Sequence, residues 1–443
     1  MQQASSTSAH VADPSPAELI AARPFLSMHA MDGLLLEGVP LSVVADALGT
    51  PCWVYGAGAM RARLAELTAA VTPLGAHVHY AVKANDHLAV LRVMRAGGAG
   101  ADVVSAGELL RCRAAGVPGA DIVFSGVGKS CEEIRLALAE GVAQINAESA
   151  EELATISAVA TAMGCTAAVA LRVNPDVDAG THSKIATGRA DDKFGIAYDS
   201  AVALYRHAAT LPGVTPVGIA LHIGSQIGSL APYRAAYARA AALVGALRAA
   251  GQTVDSVDCG GGLGIGYGDL PGLSVSAFAG VLRAAFGGLG VRLMVEPGRW
   301  LVGPAGVLLA GVTLVKATGG GHFTVLDAAM NDLVRPAMYD AWHGIAPLSA
   351  AAARRDPALT DVVGPVCESG DTFARRRSLP PLLAGERVAI LDAGAYGAVM
   401  SSTYNARPLA PIAMVDGERW AAIRARQSMA SLWGGESIPD FVT

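Results

Sequence analysis

The sequence predicts an α/β fold: a closed (β/α)8 TIM barrel followed by a mainly β domain. Three observations predict it. From residue 77 to residue 295, eight short β-branched runs alternate with Ala/Leu/Arg-rich stretches of helical period. Polar residues and glycines crowd the carboxyl ends of those runs, where a parallel barrel gathers its chemistry. Beyond about residue 300, strand-like runs follow one another without long helices between them.

The chain has 443 residues, enough for two domains. Residues 1–25, rich in Ser, Ala and Pro, read as a disordered lead. Residues 26–50 read as one or two short strands and a helix over 40–48 that join the β domain. The barrel is assigned to 51–300 and the β domain to 301–443. Barrel strands are expected at 77–82, 101–104, 121–124, 143–146, 168–173, 217–222, 255–258 and 292–295. Helices are expected at 87–96, 106–115, 131–140, 149–163, 198–210 and 231–250. An open doubly wound sheet is the rival, but eight near-regular repeats favour closure. In the second domain, 306–315, 322–327, 361–366 and 387–391 read as strands. Proline and charge at 350–360 and 374–381 read as loops.

Composition narrows the function. The net charge is −5 and no basic run suggests nucleic acid or an anionic membrane. The longest uncharged stretches, 153–171 and 300–315, are broken by Gly164 and by Gly303, Pro304 and Gly306, so they read as core elements. No basic segment precedes an apolar one at the start, and a cytoplasmic location is expected. The six cysteines (Cys52, Cys112, Cys131, Cys165, Cys259 and Cys367) show no CxxC pair and no metal-ligand spacing.

The rim residues carry the chemistry. Gly260, Gly261 and Gly262, with Gly264 and Gly266, follow strand seven, where glycine lets backbone N–H groups approach a phosphate. A flexible turn is the bland alternative. Lys83 ends strand one in an apolar context, which would lower its pKa and suit imine chemistry; alone, a surface lysine is the simpler reading. Glu296 ends strand eight and could face a pyridine nitrogen, or pair with an arginine. His222 ends strand six and could stack on a planar cofactor, or be a satisfied core histidine. Together on one rim, a lysine, a phosphate loop, an acid and a histidine suggest pyridoxal phosphate.

Tyr80-Ala81-Val82-Lys83-Ala84-Asn85, His222-Ile223-Gly224-Ser225-Gln226, Gly260-Gly261-Gly262 and Glu296-Pro297-Gly298-Arg299 together resemble the fold-type-III pyridoxal-phosphate decarboxylases, which share their barrel with alanine racemase and ornithine decarboxylase. The resemblance spans roughly residues 28–435. It implies pyridoxal 5'-phosphate held covalently by Lys83, with His222 stacked on its ring and Glu296 at the ring nitrogen. Ser225, Gly261, Gly262, Gly298, Arg299 and Tyr396 would hold the phosphate. Asp102 and Arg172 match cofactor-side positions. Val366-Cys367-Glu368-Ser369-Gly370-Asp371 matches a motif supplied by the partner subunit, so the resemblance also implies a homodimer with shared active sites. Cys367 would be a proton donor, its alternative being a buried small hydrophobe.

Asp327 to Tyr339 resembles the diaminopimelate branch of that family, although Ala329 stands where a glycine is common. There the substrate is meso-2,6-diaminopimelate and the product L-lysine. Arg299 and Arg335 could each offer a planar fork to a distal carboxylate, with Tyr339 and Tyr396 beside them, and Glu368 could accept from a distal ammonium. A surface salt bridge is the alternative for Arg335. Residues 178–194, with His182, Lys184 and Lys193, resemble a loop that covers the site. Decarboxylases of ornithine, arginine or carboxynorspermidine are the nearest rivals. A non-catalytic homologue is disfavoured because Lys83, Glu296 and Cys367 are all present.

Overall fold

The computed structural model describes residues 13–180, 187–188, 193–268, 272–319 and 321–442. Eight parallel strands form the barrel: β1 (Ala76–Ala81), β2 (Gly100–Val103), β3 (Ile122–Phe124), β4 (Gln144–Ala147), β5 (Ala167–Asn174), β6 (Val214–Ala220), β7 (Ser256–Asp258) and β8 (Arg292–Val295). Each pairs with the next, and β8 closes on β1 through Val295 opposite Val78. Strands buried on both sides read as continuous apolar runs, as in Ile122-Val123-Phe124. Serines cap the intervening helices: Ser105, Ser130 and Ser149 each accept from a backbone N–H three residues on. These short, locally specified units match the expected strands and helices closely.

The second domain contains β9 (Gly306–Thr318), β10 (Gly321–Leu326), β11 (Ile345–Pro347), β12 (Ala358–Val363), β13 (Thr372–Leu379), β14 (Arg387–Ile390), β15 (Ile412–Asp416) and β16 (Arg419–Arg424). β9 is the hub: it pairs antiparallel with β10, with β14 and with the strand Cys52–Gly56. β15 joins Cys52–Gly56 from its other side, in parallel.

Three expectations need correction. The strand Cys52–Gly56 lies in the β-domain sheet, so the barrel's own chain begins with the helix Ala57–Val71 rather than at residue 51. The segment 374–381, read as a loop, falls largely within β13, whose Phe373, Ala374, Arg377 and Leu379 are buried. Within 350–360, Ala350–Ala353 is a short helix and β12 begins at Ala358. The lead also ends sooner than expected. Pro16–Ala21 is a helix with a reciprocal Ser15–Glu18 capping box, and its Leu19 and Ile20 are buried. Arg23 then forms a buried ion pair with Asp392 of the β domain. Residues 1–12 lie outside the described residues. Among the described residues, no helix is long and apolar enough to cross a membrane.

Candidate active site

The carboxyl ends of β1, β4, β5, β6, β7 and β8 converge on a cavity of about 360 Å³, lined by Lys83, Asn146, Arg172, His222, Asp258 and Glu296 among others. A larger cleft of about 690 Å³ lies between the N-terminal segment and the barrel flank. The smaller cavity is the better candidate, because the polar groups at the strand ends point into it.

Lys83 occupies a single 3-10 turn after β1, and its Nζ lies 2.7 Å from Asp102 at the end of β2. The expected lowering of its pKa is not what the surroundings produce. Burial does pull the ammonium down, but Asp102, Glu296 and Tyr396 outweigh it and hold the group above its ordinary value. The second oxygen of Asp102 is buried without a hydrogen-bond partner.

Glu296 is buried, and one of its oxygens also lacks a partner. Burial, with Asp102 and Asp258 nearby, pushes its pKa well above the usual carboxylate range. Asp258 is raised for the same first reason, and the two carboxyls hydrogen-bond to each other. One proton shared between them relieves the repulsion. Asp258 also accepts from Asn146 Nδ2 at 2.9 Å and from the Gly260 N–H at 3.0 Å. It therefore fixes both the acid and the start of the glycine turn.

That turn cannot carry side chains. A Cβ on Gly261 would lie 2.0 Å from the Glu296 carbonyl oxygen, and one on Gly262 2.3 Å from that of Gly224. Gly262 also has φ +90°, which strains any other residue. Gly298 packs against Ala81 and Ala84 on the β1 side. The Gly261 N–H points at His222 Nδ1, 3.4 Å away. Burial, then Lys83 and Arg172, keep His222 neutral. Arg172 is held at 2.7 Å by Glu148 and lies 4.9 Å from the Phe194 ring centre.

Beside the cavity, towards the β domain and on residues outside its lining, the charge changes sign. Arg299 donates to Ser225 Oγ at 3.1 Å and to the Tyr267 hydroxyl at 2.6 Å, and it stacks over Tyr396. Arg335 lies over the Tyr267 ring and bonds His343 at 2.9 Å. Tyr339 ends the same short helix, four residues on from Arg335. Both arginines are buried, each with an Nε lacking a partner. Their hydrogen bonds go to Ser225, Tyr267 and His343, and none goes to a carboxylate among the described residues.

Cys367 and Glu368 stand apart: both are exposed and neither lines the cavity. Their turn is nonetheless well fixed. Asp371 accepts from Val366 N–H at 2.8 Å and from Met330 N–H at 2.7 Å, tying it to the loop that leads to Arg335. His182 and Lys184 lie outside the described residues; Thr187 donates to the His222 carbonyl. Sequence reasoning missed Asp258, Tyr267 and His343. A strand-end position could have found Asp258, but only tertiary contact reveals the other two.

The residues present fit a phosphorylated pyridine aldehyde. Glu296 and Asp102 each offer a buried oxygen without a donor, and the Lys83 amine lies 2.7 Å from Asp102. Comparison with known proteins agrees. A family model described as pyridoxal-dependent decarboxylase, pyridoxal binding domain, matches residues 58–303. A diaminopimelate decarboxylase of Zymomonas mobilis is 47% identical over 91% of this chain and 96% of its own length. One from Pseudomonas aeruginosa is 44% identical over 91% and 97%. The structure of the M. jannaschii diaminopimelate decarboxylase in complex with L-lysine superposes with a TM-score of 0.90, at 32% identity, covering 95% of this chain and all of that one. The chain belongs to the pyridoxal-dependent diaminopimelate decarboxylases.

Proposed function

We propose that the protein uses pyridoxal 5'-phosphate to decarboxylate meso-2,6-diaminopimelate to L-lysine and CO2, with the residues above in the following roles. The observation that carries the substrate assignment is the pair of buried arginines, neither of which bonds to a carboxylate among the described residues. Two such cations favour an anion and repel a bare distal ammonium. Diaminopimelate brings a distal carboxylate; ornithine does not.

Bound pyridoxal phosphate supplies the electron sink for loss of the α-carboxylate. Lys83 is the amine that would attach it, and Asp102 orients its Nζ from 2.7 Å. Glu296, with Asp258 behind it, would face the ring nitrogen and hold its proton. His222, neutral, would cover one ring face. Ser225, Gly261, Gly262, Gly298, Arg299 and Tyr396 surround the phosphate, and Arg172 borders the opposite wall. Arg299, Arg335, Tyr339 and Tyr396 hold the distal carboxylate, and Glu368 the distal ammonium. Cys367 would be the proton donor at the reacting end of the substrate.

Cys367 and Glu368 reach the cavity from a second copy of the chain. Their exposure, on a turn fixed by Asp371, suits that arrangement. The six free cysteines suit a reducing cytoplasm.

The decisive experiment follows lysine formed from meso-diaminopimelate, with L-ornithine and L-arginine run in parallel. CO2 should be released from the first substrate alone, with lysine as the other product. Lys83→Ala should lower the rate at least ~10³-fold. Turnover of ornithine alone would overturn the substrate assignment and leave the cofactor assignment standing. Mixing inactive Lys83→Ala and Cys367→Ala chains tests the shared site. Half the randomly mixed dimers are hybrids with one intact site, so roughly a quarter of the sites should recover. No recovery would mean that each chain completes its own site.

A further inference from the structure

We propose that Tyr267 and His343 are positioning residues that set Arg299 and Arg335 against the far carboxylate of the substrate, and so give the enzyme its selectivity for ligands that carry one. The inference rests on the function proposed above.

Two guanidinium groups buried near one another repel, and each long side chain has other rotamers to adopt. Something must hold them together before an anion arrives. Tyr267, from the loop after β7, touches both: its hydroxyl accepts from Arg299 Nη1 at 2.6 Å, and its ring lies 5.0 Å beneath the Arg335 guanidinium. His343 meets the same ring edge-on at 5.1 Å.

The tautomer of His343 follows from its partners. Nδ1 lies 2.8 Å from the Leu391 carbonyl oxygen, which can only accept, so Nδ1 carries the proton. Nε2 is then a bare acceptor, and it lies 2.9 Å from Arg335 Nη1, which can only donate. Burial, then the charge of Arg335, keep the imidazole neutral, as this arrangement requires.

The pair is itself anchored. The Tyr267 carbonyl accepts from Arg23 Nη2 at 2.8 Å, and Arg23 is ion-paired with Asp392. The His343 carbonyl accepts from Arg377 Nη1 at 2.9 Å. The barrel loop, the N-terminal segment and the β domain thus converge on one cluster. Its unspent donors are the buried Nε atoms of Arg299 and Arg335, at residues only 6% and 5% exposed. Neither Tyr267 nor His343 needs to touch the reacting atoms, so loss of either should act on binding at the far end rather than on the chemical step.

L-lysine and cadaverine separate these effects, because they differ only in that carboxylate. Their dissociation constants would be measured calorimetrically on cofactor-loaded wild type, Tyr267→Phe, His343→Leu and His343→Gln, beside KM and kcat for meso-diaminopimelate. Tyr267→Phe keeps the ring and removes the acceptor. His343→Leu removes the acceptor, and His343→Gln places an amide oxygen near the position of Nε2. The expected result for Tyr267→Phe and His343→Leu is lysine affinity and KM weakened about tenfold, with cadaverine affinity and kcat little changed. His343→Gln should recover much of the loss. Unchanged lysine binding, or equal weakening for lysine and cadaverine, would overturn the proposal. If His343→Leu fails to fold, Tyr267→Phe decides alone. A wild type that makes no lysine would instead remove the functional reading beneath it.

Discussion

The barrel cavity and the arginine cluster beside it are opposites. The barrel floor gathers Asp102, Glu108, Asp258 and Glu296 around one lysine, and burial pushes three of those acids towards their neutral forms. The wall beside it, towards the β domain, gathers two buried arginines that bond to no carboxylate among the described residues. On the floor, charge is settled within the chain by Lys83, by a shared proton and by backbone donors. At the wall it is left open. The difference teaches that the acids of the barrel are balanced within the chain, whereas the proposed role of the wall is to take its counter-charge from an anionic ligand.

The floor can be broken first. Glu296→Gln keeps the shape but removes a carboxyl able to become the counter-charge of a protonated ring nitrogen. We expect kcat to fall by ~10²-fold or more with the cofactor retained, as checked by its absorbance. A kcat within a few-fold of wild type would show that the acidic floor is structural. The wall should respond through KM. Arg335→Leu fills the site with an apolar side chain of smaller reach. The KM for meso-diaminopimelate should rise on the order of 10²-fold, the scale of a lost buried charge-assisted pair, with a smaller effect on kcat. Equal losses in kcat and kcat/KM would place Arg335 with the chemistry and erase the contrast between the walls.

The barrel was legible because its rules are local. Alternating β-branched runs and serine-capped helices announce each unit within about thirty residues, and the rim rule locates Lys83, His222, Gly260 and Glu296 without long-range information. The parts that depended on distant partners were not legible. Cys52–Gly56 precedes the barrel in sequence yet pairs with Gly306–Leu309. In β13, the charged run Arg375-Arg376-Arg377 hides a strand because Arg376 has φ +46°, and the buried Arg377 is held by the His343 carbonyl. The pKa of Lys83 was misjudged in direction because its apolar sequence neighbours say nothing of Asp102 and Glu296, which arrive from other strands. Tyr267 and His343 carry no motif. Their importance lies in a geometry that joins positions 76 apart in the chain.

The acidic floor also has a cost that can be read without turnover. Glu108 caps the backbone at Val104, and burial raises its pKa from 4.5 to about 7 despite that hydrogen bond. A carboxyl raised in the folded state binds more protons folded than unfolded between these values, so stability falls as pH rises through that window and levels off above it. The difference corresponds to at most ~3 kcal/mol, and less because Glu108 is only half-buried. In cofactor-free protein, the melting temperature should therefore decline from pH 5 to pH 7 more steeply than in Glu108→Gln. That variant keeps an oxygen to accept from Val104 but cannot ionise. It should be the more stable protein at pH 8. Parallel melting curves for wild type and Glu108→Gln would mean that the floor relaxes when the cofactor leaves, and that its strained carboxyls exist only in the loaded enzyme.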